Sequence, residues 1–202
     1  MGSRFAIPIL PAEEIVRGLH KDDALSLPLL TDAFRDELLD EARGAAFRPA
    51  RESIGEGEKI VYQRMEVCDR FPQDSGFFAL RDEFQALWNA SFPQGSEYPF
   101  ESPVLFNDLM LQRYAPGEVG ITPHRDRSAY RNIICLFVLA GRGCFGVCAD
   151  RGGSNAREIA NEPGDLILTR APGFLGASTR PFHFVRDIVE PRYVFGLRQE
   201  RL

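Results

Sequence analysis

Two textures of hydrophobic and polar positions divide the chain near Pro103. Before it, apolar residues recur at helical spacing. Pro11, whose ring fixes a φ suited to a first turn, opens a short helix running to about Leu19. Thr31 or Asp32 is placed to cap a second helix, in which Phe34, Leu38 and Ala42 recur at i, i+4 and i+8 until Gly44 ends it. Asp74 or Ser75 is placed to cap a third, with Phe77, Leu80, Phe84, Leu87 and Trp88 on one face. Residues 45–75 between the last two are polar, glycine-containing and irregular, with one strand expected over 59–67.

After Pro103 short β-rich runs alternate with breakers. Strands are expected over 104–114, 131–139, 144–149, 158–160, 165–169, 182–188 and 192–198. Ala-Pro-Gly at 115–117, Gly-Arg-Gly at 141–143, Gly-Gly-Ser at 152–154, Pro-Gly at 163–164 and Glu-Pro at 190–191 separate them. Many short strands at this spacing predict a β-sandwich or barrel. Helices first and strands after predict an α+β chain, mainly β, with the N-terminal helices packed on one sheet. The 202 residues fit a single domain, 1–102 as helical support and 103–202 as the strand-rich core.

Composition changes this picture little. Sixteen phenylalanines suit a core filled by rings. No apolar run approaches the roughly 20 residues that span a bilayer, so no membrane association is expected. The short apolar patch ahead of Pro11 is too small for a secretory signal, and a cytoplasmic protein is expected. Cys68, Cys135, Cys144 and Cys148 are scattered and form no C-x-x-C pair; they read as buried small hydrophobes rather than a disulfide framework or zinc site.

Charge is more informative when divided. Residues 1–102 carry 11 Lys and Arg against 19 Asp and Glu; residues 103–202 carry 13 against 10. Nucleic-acid binding leaves a basic footprint, and the first half is acidic.

The candidate chemistry rests on three histidines, His20, His124 and His183. His124-Arg125-Asp126 forms an H-x-D in a turn ahead of a strand, and His183 lies on a strand near the end. Two neutral imidazoles and one carboxylate are the facial triad of non-haem Fe(II) oxygenases, which leaves three metal positions open for cosubstrate and O2. An H-x-D alone is common in surface turns. Here Arg192 follows His183 by nine residues on the next strand, where its fork suits the far carboxylate of a dicarboxylate cosubstrate.

In order, Leu111-Gln112-Arg113-Tyr114-Ala115-Pro116-Gly117, His124-Arg125-Asp126, Pro163-Gly164-Asp165, His183 and Arg192-Tyr193 with Arg198 resemble the AlkB-type 2-oxoglutarate/Fe(II) dioxygenases. The resemblance covers about the last hundred residues. It implies a double-stranded β-helix of the jelly-roll or cupin-like kind, with the substrate lid in residues 1–102. It implies Fe(II) ligation by His124, Asp126 and His183. The 2-oxoglutarate carboxylates would be held by Arg192, Tyr114 and Arg198. The implied reaction couples oxidation of a substrate C–H bond, by hydroxylation or oxidative demethylation, to release of succinate and CO2.

The sequence departs from the repair enzymes at several positions. Gln112 and Val194 stand where those enzymes have Asn, Arg127-Ser128 where an acid helps read the damaged base, and Thr169 where the bacterial repair enzyme has a stacking Trp. The sole tryptophan, Trp88, belongs to a helical pattern and reads as core. A small molecule or protein side chain is therefore the favoured substrate, with an alkylated DNA or RNA base as the alternative. In that alternative, Phe47 or Tyr62 would supply the stacking platform. A non-catalytic sensor with the same fold is a further reading, opposed by the intact triad and its Arg. Arg125, Arg127, Arg170 and Arg180 are expected around the mouth of the site.

Overall fold

A computed structural model describes residues 3–201. In chain order the elements are α1 (Ala12–Asp22), β1 (Ala24–Pro28), α2 (Asp32–Arg43), β2 (Arg48–Pro49), β3 (Ser53–Ile54), β4 (Val61–Arg64), β5 (Glu66–Cys68), α3 (Gly76–Ser91), β6 (Asp108–Tyr114), β7 (Gly120–His124), β8 (Tyr130–Ala140), β9 (Cys144–Cys148), β10 (Arg157–Ile159), β11 (Asp165–Arg170), β12 (Phe182–Arg186) and β13 (Arg192–Glu200). Two antiparallel sheets result. The major sheet has the order β1-β11-β8-β13-β6-β5-β2 and the minor sheet β10-β9-β12-β7-β4-β3.

The period of two along each strand divides the core into two layers. On β8, Ile133, Cys135, Phe137 and Leu139 join the helix side, with Leu111, Phe195 and Leu197 of the neighbouring strands. There they meet Phe34 and Leu38 of α2 and Phe77, Leu80, Phe84 and Trp88 of α3. Edge-on rings fix the contact: Phe84 to Phe137 at 5.0 Å, and Phe71 to Phe195 at 5.9 Å. The alternate set, Ile134, Leu136, Val138, Val194 and Tyr114, faces inward and packs with Ile121, Phe145, Val147 and Val185 of the minor sheet. The helices therefore back the major sheet, as the order of elements predicts.

All three predicted helices form, with different capping. Ser75 Oγ accepts from the backbone N–H of Phe77 at the start of α3. Thr31 sits at the N-cap of α2, but its hydroxyl donates 3.2 Å to the carbonyls of Ser3 and Arg4, tying down the N-terminal segment instead.

The strands depart from expectation in several places, the short β2 and β3 within the segment expected to be irregular among them. The single strand expected over 59–67 is two: β4 pairs with β7 in the minor sheet and β5 with β6 in the major one, the chain changing sheets at Met65. The strand expected from residue 104 begins at Asp108. Ahead of it, the backbone N–H groups of Val104 and Phe106 donate to Tyr98 Oη and Gln85 Oε1 rather than to a strand. Strand β1, unpredicted, completes the far edge of the major sheet beside β11. Strand β7 is likewise unpredicted; His124 is expected in a turn, and instead it ends a strand. The strand pairs with β12 at Ile121 and His124, with an irregularity at Thr122–Pro123 where the proline has no N–H to give, and with β4 only at Gly120 and Ile121.

No helix of the described residues is long and apolar enough to cross a membrane, and all four cysteines are free thiols.

Candidate metal and cosubstrate site

Antiparallel pairing brings the two distant histidines together. His124, the last residue of β7, stands directly opposite His183 on β12, with ring centroids 4.2 Å apart. Asp126 lies two residues past the end of β7, and its Oδ2 comes within 3.4 Å of His183 Nε2. One ligand atom from each of the three residues lies within 4.8 Å of the others, the only such group of three or more among the described residues. His20, on the exposed side of α1, takes no part.

The surroundings prepare each donor. His124 Nδ1 lies 3.0 Å from the carbonyl of Thr122, which only accepts, so this nitrogen carries the ring proton and Nε2 keeps a lone pair. Burial, with the His183 ring adjacent, lowers the His124 pKa to about 3, so the imidazole is neutral. Burial opposes ionisation of Asp126, but the His183 ring and the guanidinium groups of Arg198 and Arg180 outweigh it and hold the carboxyl below its usual range. Arg180 also donates to the backbone carbonyl of Asp126, fixing the loop. A lone-pair nitrogen on His124 beside an ionised carboxylate is what a divalent cation needs, and two imidazoles with one carboxylate suit Fe(II).

Arg192 and Arg198 share the inward face of β13 with Val194, the parity that puts Phe195 and Leu197 against the helices. Arg192 is 1% exposed, and no carboxylate pairs with it among the described residues. Its NH2 donates 3.2 Å to Asn161 Oδ1, and its Nε has no partner. Burial lowers its pKa. A buried guanidinium so poorly matched is electrostatically unsatisfied, though neither it nor Tyr114 lines the pocket beside the triad. Tyr114 is its cross-strand neighbour on β6, with the guanidinium 5.7 Å from the ring centroid. Burial drives the Tyr114 pKa up to about 12 although Arg192 and Arg198 oppose the shift, so its hydroxyl is a neutral donor. Arg198, also buried, has only Asp108 nearby at 3.7 Å and leaves Nε and NH1 unpartnered.

The Arg113–Gly117 run has distinct tasks. Arg113 points outward, pairing with Glu66 at 2.6 Å and stacking on Phe47. Tyr114 points inward, and Ala115-Pro116-Gly117 turns the chain, with Gly117 at φ 75° donating 2.8 Å to Ile188 O. Pro163-Gly164-Asp165 is likewise structural: Gly164 at φ 99° bonds Val138 O, and Asp165 accepts from Glu162 N.

A pocket of about 460 Å³ opens beside the triad, reaching His124, Asp126, Tyr130, Gln112 and Arg198. Its outer wall comes from β2 to β5, through Arg48, Ala50, Arg51, Ile54, Val61, Gln63, Met65 and Val67. Sequence reasoning missed Asn161, Arg51 and Met65. Nothing in the pattern marks a residue whose role is to hold a buried Arg, or places an irregular segment against a distant strand.

Of the four arginines expected at the mouth, Arg125, Arg127 and Arg180 line this pocket. Arg170, held by Asp23 and Thr179 at the end of β11, lines instead a smaller cavity that also reaches Asp126, His183, Arg127 and Arg180. Neither aromatic considered as a stacking platform reaches the pocket. Phe47 packs on Tyr193 and Arg113, and Tyr62 is 57% exposed. Trp88 is core, stacked on Phe92.

Neither a family model nor a curated protein sequence matches the chain. Solved structures do. A prolyl-4-hydroxylase of Pseudomonas putida matches with TM-score 0.63 at 16% identity over 94% of this chain and 99% of its own. A Trichoplax adhaerens prolyl hydroxylase, solved with a hypoxia-inducible-factor peptide, matches at 0.68 and 12%, over 94% and 88%. A 2OG-Fe(II) oxygenase-family protein of Burkholderia pseudomallei matches at 0.65 and 14%, over 100% and 97%. At these identities the likeness establishes the fold: the double-stranded β-helix of the 2-oxoglutarate/Fe(II) oxygenases. These three likenesses do not show the AlkB type in particular.

Proposed function

We propose that this protein is a 2-oxoglutarate-dependent non-haem iron oxygenase acting on a small molecule or a protein side chain. The observation that carries the reading is the buried, poorly satisfied Arg192 inside the same barrel as a compact His-Asp-His cluster. His124, Asp126 and His183 would hold Fe(II). Once bound, the metal with 2-oxoglutarate and O2 supplies the oxidation of a C–H bond, with succinate and CO2 as co-products.

The chain's own residues do the rest. Arg192 offers its fork to the distal carboxylate of the cosubstrate, with Asn161 holding one nitrogen. Tyr114, kept neutral by burial, donates a hydrogen bond to a carboxylate, and Arg198 approaches from the pocket side. Thr122 fixes the His124 tautomer. The apolar inner layer of Ile121, Val138, Phe145 and Val194 keeps water from the back of the site.

An AlkB-type demethylase of alkylated bases is the second reading, carried by the order of the sequence motifs. Against it stands the pocket lining, in which Tyr130 is the one aromatic ring apart from His124.

The test is spectroscopic. Anaerobic Fe(II) with 2-oxoglutarate should give a visible metal-to-ligand charge-transfer band, abolished in His183→Ala and His124→Ala. A band that survives both substitutions sinks the ligand assignment.

A further inference from the structure

Ion pairing over the surface is extensive. Thirteen of the 22 arginines lie within 4.0 Å of an acidic side chain. At the pocket this pattern changes. Six arginines line it, and the single acid in the lining is Asp126, already committed to the triad. Arg48, Arg127 and Arg198 have acids outside the lining, in Asp69, Glu200 and Asp108. Arg51, Arg125 and Arg180 form no ion pair within 4.0 Å among the described residues, although Arg180 stands near enough to Asp126 to help keep its carboxyl ionised.

These three come from separate elements: the link between β2 and β3, the β7–β8 loop and the approach to β12. Arg180 is held at Asp126 O, and Arg125 is braced 4.2 Å over the Phe182 ring, so both are positioned rather than freely solvated. Much of the remaining lining is apolar: Ile54, Val61, Met65, Val67, Met110 and Ile121. In a chain with 29 acidic against 24 basic residues, uncompensated positive charge around one apolar pocket selects the ligand's sign.

We infer that the substrate is a small amphipathic anion, an apolar body bearing one carboxylate or phosphate. Its head lies on Arg51, Arg125 and Arg180, and its body against Met65, Met110 and Ile121. The volume lies inside the roughly 300–1,000 Å³ typical of small-molecule sites. A polynucleotide needs a basic track beyond the pocket, and the half of the chain that builds the outer wall has 11 basic residues against 19 acidic. The inference rests on the oxygenase reading for the reaction and adds the substrate's chemical class.

The experiment measures binding of three probes, octanoate, octyl phosphate and neutral 1-octanol, by calorimetry to protein carrying Mn(II) and 2-oxoglutarate. Either anion should bind at least about tenfold more tightly than octanol, and the tighter of the two identifies the head group. Arg51→Gln combined with Arg125→Gln should weaken the anion about three- to tenfold and leave octanol unchanged. Arg51→Lys, which keeps the charge, should retain most of the affinity. Equal binding of octanol and both anions, or anion affinity indifferent to the double substitution, overturns the inference. So does tighter binding of a methylated single-stranded oligonucleotide than of either anion. The Fe(II)–2-oxoglutarate band on wild-type protein separates the two levels: its absence defeats the oxygenase reading, while its presence without anion preference defeats only the substrate class.

Discussion

Arg192→Met separates what the buried guanidinium costs the fold from what it does for the site. Arg192 is 1% exposed, hydrogen-bonded only to Asn161 Oδ1, with Nε unpartnered and no acid beside it. Burying such a group costs several kcal/mol in practice. The Asn161 hydrogen bond returns about 1 kcal/mol and the Tyr114 ring about 0.5–2. Met fills a similar volume without the charge, so without cosubstrate the variant should be more stable by about 1–3 kcal/mol. At roughly 2–4 °C per kcal/mol for a chain of this size, Tm should rise by about 3–10 °C.

With Mn(II) present, adding 2-oxoglutarate should close or reverse this gap. At a hundred times Kd the ligand should stabilise wild type by about 2.7 kcal/mol and leave Arg192→Met unmoved. Arg192→Lys keeps a charge but loses the fork and should weaken the cosubstrate by about 1–3 kcal/mol. Scanning calorimetry with and without 2-oxoglutarate reads all three proteins. A Met variant less stable than wild type without ligand, or one still stabilised by 2-oxoglutarate, refutes the view that Arg192 waits for an anion.

Two further outcomes test the frame around the site. Gly120 adopts φ 72°, and a Cβ there would lie 2.3 Å from Val185 O, so Gly120→Ala should cost about 2–4 kcal/mol in urea unfolding and weaken metal binding by parting β7 from β12. The unfolded Tyr114 ionises near pH 10 and the folded one near about 12; the raised pKa means its stabilisation is complete below pH 10 and lost as pH rises through 12. Relative to Tyr114→Phe, wild type should lose about 2–3 kcal/mol across that window, and parallel stability curves would contradict the burial of this hydroxyl.

The parts legible in sequence are those with a strong local signal. Phe34, Leu38 and Ala42, or Phe77 to Trp88, reveal a buried helix face because helical spacing is local. That His124, Asp126 and His183 come together was legible because the H-x-D and a distant strand His are the only pattern three histidines offer, and the placing of Arg192 because it follows His183 by nine residues on the next strand. Pairing between distant segments leaves no such mark. Strand β7 has Gly and Pro where a strand signal belongs and exists through its partners. The sheet change at Met65 takes one residue. The role of Asn161 depends on Arg192 arriving beside it from 31 residues away.

That sheet change has a consequence for how such a protein diversifies. Strands β4 and β5 cap the open rims of β7 and β6, so the strip from Arg48 to Cys68 shields two ladders that would otherwise invite association with other chains. Its hold on the barrel is largely main-chain and indifferent to side-chain identity, while several of its side chains make the outer wall of the pocket. Selectivity is thereby free to drift by substitution at Arg51, Ile54, Gln63 or Met65 with the triad untouched, yet the strip itself cannot be deleted without baring both sheets. Recognition evolves here by rewriting a permanent seam.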